Sequence, residues 1–261
     1  MRQPTNRVKV VPVPCLQDNY AYLVHLEGSA AAVVVDPSEA APVLDAAKRE
    51  GLEIVGVLDT HHHFDHVGGN EAIAAEIPGI AVVAGKSDEG RIPAQTRGVS
   101  HGETFEIAGL AVRCMHVPGH TTGAIAFVVD ETDVFTGDTM FVAGCGRLFE
   151  GTPAQMHASL SEAIGRLPDD VLVWCGHEYT ASNLRFAKHV DPDNAAVDAS
   201  IAWATDLRAR GLPTVPSTIG REKGHNPFLR VTDPAFAERF GGGDPATVLG
   251  AVRKAKDEYK G

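Results

Sequence analysis

Cysteine is scarce: Cys15, Cys114, Cys145 and Cys175 are the only four, widely spaced and with no CxxC pair among them. That spacing excludes a disulfide framework and a zinc site built on paired thiolates. Long apolar runs are missing as well. The longest uninterrupted one near the start, Ala30 to Val35, falls far short of the roughly 20 residues that cross a bilayer, so no membrane partner is expected. Residues 1–14 carry Arg2, Arg7 and Lys9, but Pro12 and Pro14 interrupt any signal-peptide core, and a cytoplasmic protein is the expectation. Positive charge is in deficit, with 23 Lys and Arg against 34 Asp and Glu for a net −11. Such a surface is ill suited to the phosphates of nucleic acid. Internal repeats and low-complexity tracts are also absent.

What is present is an ordinary globular composition, 44% hydrophobic and 22% charged over 261 residues, enough for one large domain or one domain with an appendage. The charge is uneven. Residues 221–261 hold eight Lys or Arg against six Asp or Glu, a net +2, so residues 1–220 carry −13. A solvated helix accounts for such a basic tail unless another feature gives it a partner.

The most informative segment is Thr60-His61-His62-His63-Phe64-Asp65-His66-Val67-Gly68-Gly69, with four histidines and one aspartate in six consecutive positions. Imidazole and carboxylate suit zinc and similar transition metals, and crowding them is unfavourable without such a ligand. The preceding run Ile54 to Leu58 reads as a buried strand ending at Asp59 or Thr60. In an extended segment alternate side chains share a face. His61 and His63 therefore form one ligand group, His62 faces away, and Asp65 and His66 form another group where the chain turns. A zinc helix of the HExxH kind is excluded, because position 63 is His and Gly68-Gly69 would end the helix. Three further candidates follow predicted strands: His120 in Pro118-Gly119-His120-Thr121, Asp138 after Val134 to Thr136, and His177 after Val171 to Cys175. Ligands that always leave the same end of a strand can gather at one rim of the sheets.

Strands are predicted at 8–13, 20–26, 31–35, 81–84, 105–107, 110–116, 124–129 and 133–136, with helices at 39–49, 71–76 and 152–166. From Thr180 the pattern becomes helical, over 181–189, 194–210 and 245–260, with a loop at 214–217 and no further strand. The domain boundary falls between Gly176 and Tyr179, giving residues 1–178 and 179–261. Mixed α/β is what the pattern supports by itself.

The ligand segment, Gly119-His120-Thr121, Gly137-Asp138-Thr139 and Gly176-His177 together resemble the metallo-β-lactamase superfamily. Within it, Leu16-Gln17-Asp18-Asn19-Tyr20, Gly144-Cys145-Gly146-Arg147, Gly176 to Thr180, Thr214 to Thr218 and Asn226-Pro227-Phe228-Leu229-Arg230 are similar to the hydroxyacylglutathione hydrolases (glyoxalase II). The resemblance runs from residue 16 to the last helix. It implies a four-layer αββα sandwich with a smaller helical C-terminal domain that binds substrate. It implies two metal ions, zinc before iron or manganese: one held by His61, His63 and His120, the other by Asp65, His66 and His177, with Asp138 bridging. Asp65 and Asp138 are then also the catalytic candidates. Arg147, Tyr179, Arg253 and Lys256 are implied around glutathione, and Arg253 and Lys256, three apart on the terminal helix, can share a face toward carboxylates. Some family members carry a tyrosine where this chain has Phe149, so a hydroxyl contact is lost there. Cys145, beside two glycines, reads as a small buried residue.

The implied activity is hydrolysis of S-(2-hydroxyacyl)glutathione, above all S-D-lactoylglutathione, to glutathione and D-lactate in methylglyoxal detoxification, by a monomer. A persulfide dioxygenase with a single iron and a lactonase are the alternatives within the superfamily. The net charge weighs against a nuclease.

Overall fold

The structure, a computed structural model, describes residues 8–261; Arg2 and Arg7 of the leader reading lie outside the described residues. β1 (Val8–Cys15) pairs antiparallel with β2 (Asn19–Leu26), from Val8 opposite Leu26 to Cys15 opposite Asn19, and β2 pairs antiparallel with β3 (Ala31–Val35). α1 (Ala40–Glu50) stops at Gly51, whose φ of 68° and N–H to the carbonyls of Ala47 and Lys48 form a left-handed C-terminal cap. The helix returns the chain to β4 (Glu53–Asp59), parallel to β3, the crossover that parallel strands require. α2 (Phe64–Val67) and α3 (Asn70–Glu76) then lead to β5 (Ala81–Gly85) and β6 (Arg97–Val99), each parallel to its predecessor. The first sheet thus has the order β1-β2-β3-β4-β5-β6.

Both faces of this sheet are covered, which is why β2 and β3 read as nearly continuous apolar runs. On one face Leu23, Ala32 and Val34 pack with Val43 and Ala46 of α1 and Ile73 of α3. Leu23 is fully buried, so truncating it to Ala would cost about 2–5 kcal/mol. On the other face Tyr22 meets Phe135, ring centroids 5.5 Å apart.

β7 (Thr104–Ile107), β8 (Leu110–His116), β9 (Ile125–Val129) and β10 (Asp133–Gly137) follow as antiparallel neighbours. Contacts divide the chain into two compact units, one of residues up to His116 with Gly123–Phe135, the other of Val117–Thr122 with Thr136–Gly261. β10 belongs to the first unit through Phe135 and to the second from Thr136.

In the second unit a short hairpin, β11 (Met140–Phe141) and β12 (Gly144–Cys145), precedes α4 (Pro153–His157). Thr152 opens α4 with a capping box to Gln155 and Pro153 in the first turn. Residues 158–166 continue it as a π-helical and then a 3-10 stretch, where the sequence predicts one regular helix. β13 (Leu172–Cys175), α5 (Thr180–Val190) and α6 (Ala195–Ala209) follow. The expectation of no strand beyond Thr180 is corrected by β14 (Ser217–Thr218), antiparallel to β13 and beginning at the last residue of the predicted 214–217 loop. Two residues are too few to show any alternation. α7 (Ile219–His225), α8 (Pro234–Glu238) and α9 (Pro245–Glu258) complete the chain. The second sheet has the order β14-β13-β10-β9-β8-β7. Among the described residues no helix is long and apolar enough to cross a membrane.

Candidate metal centre

The first unit brings His61, His63, Asp65 and His66 together at the end of β4. His61 and His66 are buried, their ring centroids 4.2 Å apart. His61 Nε2 lies 3.2 Å from His63 Nδ1. Two ligands about 2.0–2.1 Å from one tetrahedral zinc stand roughly 3.3 Å apart, so this spacing suits a shared cation. Asp65 Oδ2 is 3.7 Å from His66 Nε2. The α2 turn that carries Asp65 and His66 is capped at His63, whose carbonyl accepts from the His66 N–H at 2.9 Å.

Asp36, at the end of β3, orders this half-set. Its Oδ1 accepts the Thr60 N–H at 2.7 Å, and its Oδ2 accepts the Thr60 hydroxyl at 2.7 Å and faces His66 Nδ1 at 3.0 Å. Because Thr60 Oγ1 gives its one proton to Asp36, it accepts from His61 Nδ1, 3.0 Å away. Both rings therefore carry their proton on Nδ1 and leave Nε2 as a lone-pair donor, the arrangement that outer-shell partners impose on metal-binding histidines. Asn19 Nδ2 donates to the Asp65 carbonyl at 2.8 Å and to Asp65 Oδ2 at 3.1 Å, which fixes that carboxylate. His62 turns to Asp88, Nδ1 to Oδ2 3.3 Å, the opposite direction that alternation predicts. Gly69 is a packing requirement, since a Cβ there would lie 2.5 Å from the Pro37 carbonyl oxygen.

The second unit brings together His120, Asp138 and His177. Asp138 Oδ2 lies 3.5 Å from His120 Nε2 and 3.4 Å from His177 Nε2, a spacing at which each histidine could share a cation with the carboxylate. His120 Nδ1 donates to the Arg147 carbonyl at 2.9 Å, so its Nε2 too is left as the donor. The 147–151 segment holds the His120 turn: the Phe149 N–H donates to the His120 carbonyl at 3.2 Å and the Gly151 N–H to the Gly119 carbonyl at 3.1 Å. Gly146 admits this approach, because a Cβ there would fall 2.2 Å from the Asp138 carbonyl oxygen and 2.7 Å from His120 Nδ1.

Beside His120 and Asp138 opens a cleft of about 520 Å³, lined among others by Arg147, Tyr179, Arg253 and Lys256. Tyr179 stacks on His177 at 4.7 Å with the rings 4° from parallel. Arg147 is largely exposed and 3.6 Å from Asp257. Arg253 is buried at 6% exposure; its Nη1 donates to the Cys145 carbonyl and its Nη2 to Asp257, both at 2.9 Å. Lys256 Nζ donates to the Ser182 carbonyl at 3.2 Å. Burial, joined by the charges of Arg253 and Arg185, lowers Lys256 to a pKa of about 8. The Cys145 thiol is pushed up to about 11 by burial, against the pull of Arg253, so it stays protonated and is no thiolate nucleophile. Phe149 is 62% exposed, with its ring 5.3 Å from that of His120.

Sequence reasoning did not single out Asp36, Thr60 or Asn19 individually. Asp36 could have been found, since it follows a strand as Asp138 does.

Residues 17–177 match the model of the metallo-β-lactamase superfamily, and residues 178–259 match the model described as the C-terminus of hydroxyacylglutathione hydrolase. A hydroxyacylglutathione hydrolase of Synechococcus sp. (strain JA-2-3B'a(2-13)) is 48% identical over 253 residues, covering 97% of this chain and 100% of the relative. The chain belongs to the hydroxyacylglutathione hydrolase family. Solved structures share its fold. ETHE1 from Myxococcus xanthus aligns at TM-score 0.65 and 24% identity, over 95% of this chain and 97% of that one. TTHA1623 in a di-iron-bound form aligns at 0.61 and 25%, over 85% of this chain and 100% of that one. The fold is the αββα metallo-β-lactamase fold with a helical C-terminal region, as the sequence leads one to expect. A hydroxyacylglutathione hydrolase of this superfamily is a metal-dependent hydrolase, and its His and Asp donors are those of a divalent-metal protein.

Proposed function

We propose that the protein hydrolyses the thioester of S-(2-hydroxyacyl)glutathione, S-D-lactoylglutathione foremost, to glutathione and D-lactate, as a step in methylglyoxal detoxification. The observation that carries this reading is the company kept by His120 and Asp138: a single cleft places Arg147, Arg253, Lys256 and Tyr179 beside them. A glutathione thioester has two carboxylates for those cations and a carbonyl for the donors. The helical residues 179–261 serve here as the substrate-binding domain of a catalytic domain at 1–178.

The seven candidate donors serve one dinuclear centre in this proposal. His61, His63 and His120 would hold one divalent ion, Asp65, His66 and His177 would hold the other, and Asp138 would be shared by both. Zinc fits the imidazole and carboxylate donors, and iron and manganese accept the same set. When bound, the pair supplies Lewis acidity and hydroxide at neutral pH. The protein's own groups do the rest. The anchored Nδ1 protons of His61, His66 and His120 keep the donor atoms aimed, and Asn19 holds Asp65 in place to orient the attacking water. Arg147, Tyr179, Arg253 and Lys256 bind the glutathione part and so place the thioester. The leaving thiol, with a pKa of about 8.5, departs as thiolate without a strong general acid. The protein is further proposed to act as a cytoplasmic monomer, without nucleic acid or membrane partners.

Turnover of S-D-lactoylglutathione by the metal-replete protein, followed as loss of thioester absorbance, tests the proposal. Oxygen uptake with a glutathione persulfide, on a single iron, would instead indicate a dioxygenase.

A further inference from the structure

The hairpin β11–β12 has two residues per strand, and side chains from the C-terminal helices take up the backbone groups around its turn. Asn226 Nδ2 donates to the carbonyls of Phe141 at 3.3 Å and Gly144 at 3.0 Å. The Ala143 N–H donates to Glu222 Oε2 at 2.8 Å. Asn183 Nδ2 donates to the Val142 carbonyl at 3.1 Å, and Arg253 to that of Cys145 at 2.9 Å. Every residue from Phe141 to Cys145 is thus held by a side chain 41 or more positions away. The need is local as well as global, because Ala143 sits at φ 55°, a left-handed conformation that alanine does not favour.

Glu222 and Asn226 are themselves fully buried and bonded to each other, Asn226 Nδ2 to Glu222 Oε2 at 3.0 Å. The other Glu222 oxygen accepts from Ser217 Oγ and faces His225 Nε2 at 2.9 Å, while His225 Nδ1 lies 2.6 Å from Ser200 Oγ. Ser200, His225 and Glu222 have the composition of an acyl-transfer triad, but at 3%, 1% and 0% exposure no substrate reaches them. They are a frame. Burial alone would raise the Glu222 carboxyl, yet His225 and the bonds from His225, Ser217 and Ala143 hold it below the ordinary carboxylate value.

The frame ends at Phe141. Its ring stands 5.9 Å from His177 at 83° and 5.3 Å from Tyr179 at 80°, edge-on to the stacked pair. We propose that Asn226 and Glu222 are positioning residues for the substrate cleft, setting Phe141 and through it the orientation of His177 and Tyr179. The inference rests on the thioesterase reading for its substrate, and on the proposed His177 ligand role for its metal readout. No reacting atom touches Asn226 or Glu222.

A double-mutant cycle tests it. Asn226→Ala and Phe141→Leu should each raise KM for S-D-lactoylglutathione about tenfold with kcat changed less than about threefold, and the double variant should remain near tenfold because both act on one element. A KM in the double variant near the product, about a hundredfold, would overturn the proposal, as would an Asn226→Ala protein that loses thermal stability at unchanged KM. Should Asn226→Ala fail to fold, Glu222→Gln, which keeps the volume and removes the charge, takes its place in the cycle with the same expectations. If the wild-type protein turns over no thioester, the thioesterase reading fails and the cycle is read on cobalt-loaded protein. Asn226→Ala and Phe141→Leu should then shift the visible bands alike, and a shift confined to Phe141→Leu would overturn the positioning role.

Discussion

Asp36 Oδ2 lies 3.0 Å from Nδ1 of His66, and both residues are buried. The same carboxylate holds Thr60 through its N–H and its hydroxyl, and Thr60 in turn faces His61 Nδ1. One side chain therefore fixes the tautomers of two histidine donors. Asp36→Asn is the informative variant, because asparagine tolerates the φ of 49° found at this position. Outer-shell changes of this kind typically cost about 10–100-fold in metal affinity, and a titration against a competing chelator should show a loss in that range. Unchanged affinity would remove Asp36 from the account.

Gly146 bears on the second half-set. A methyl group there has no room between the Asp138 carbonyl and the His120 ring, so Gly146→Ala must displace one of them. We expect destabilisation of about 1–3 kcal/mol from overpacking, together with weaker metal binding. Thermal unfolding and metal analysis of one preparation check both.

Lys256 carries a pH dependence. Burial, with Arg253 and Arg185 nearby, lowers its pKa to about 8. The ammonium is present below that value and is lost as pH rises through it, so the attraction proposed between Lys256 and a substrate carboxylate should fall on the alkaline side. Because kcat/KM reports the free enzyme, it should decline above about pH 8 through a rise in KM. Lys256→Arg keeps its charge over that range, and the decline should disappear in its profile.

Arg253 has two duties. Its guanidinium lines the cleft and also donates to the Cys145 carbonyl at 2.9 Å. Arg253→Ala should raise KM with kcat little changed, as loss of uniform binding does. It should also lower stability by about 1.5–3 kcal/mol, the scale of a hydrogen bond from a charged donor. The pair with Asp257, whose side chain is 44% exposed, adds little to that figure. A KM effect without a fall in unfolding temperature would show that the Cys145 bond is dispensable.

Much of the fold and the candidate donors could be read from the sequence because each leaves a local mark. The crowding at residues 61–66 is unfavourable without a ligand, and His120, Asp138 and His177 obey the same strand-end rule. Alternation alone separates His62, which the structure turns toward Asp88. Asp36 shares the strand-end position of Asp138, but its role is hard to read because Asp36-Pro37 looks like an ordinary turn and its partners lie 24 and 30 residues away. Glu222 is hidden for the same reason, and Asn226 shows only as part of a family segment, since both lie about 80 residues from the hairpin they hold. β11, β12 and β14 are two residues each, below the length at which a period can register. The sequence suggests a basic face that meets anions, whereas Arg253 and Lys256 direct part of their donor capacity to the carbonyls of Cys145 and Ser182.

The measurement that bears most directly on the central claim is S-D-lactoylglutathione hydrolysis, made together with a metal count on the same purified protein. The account predicts two divalent ions per chain, steady release of free thiol, loss of turnover on chelation and its return when metal is restored. A protein carrying two ions that releases no thiol from the thioester, or one that releases thiol unchanged after complete chelation, would contradict it.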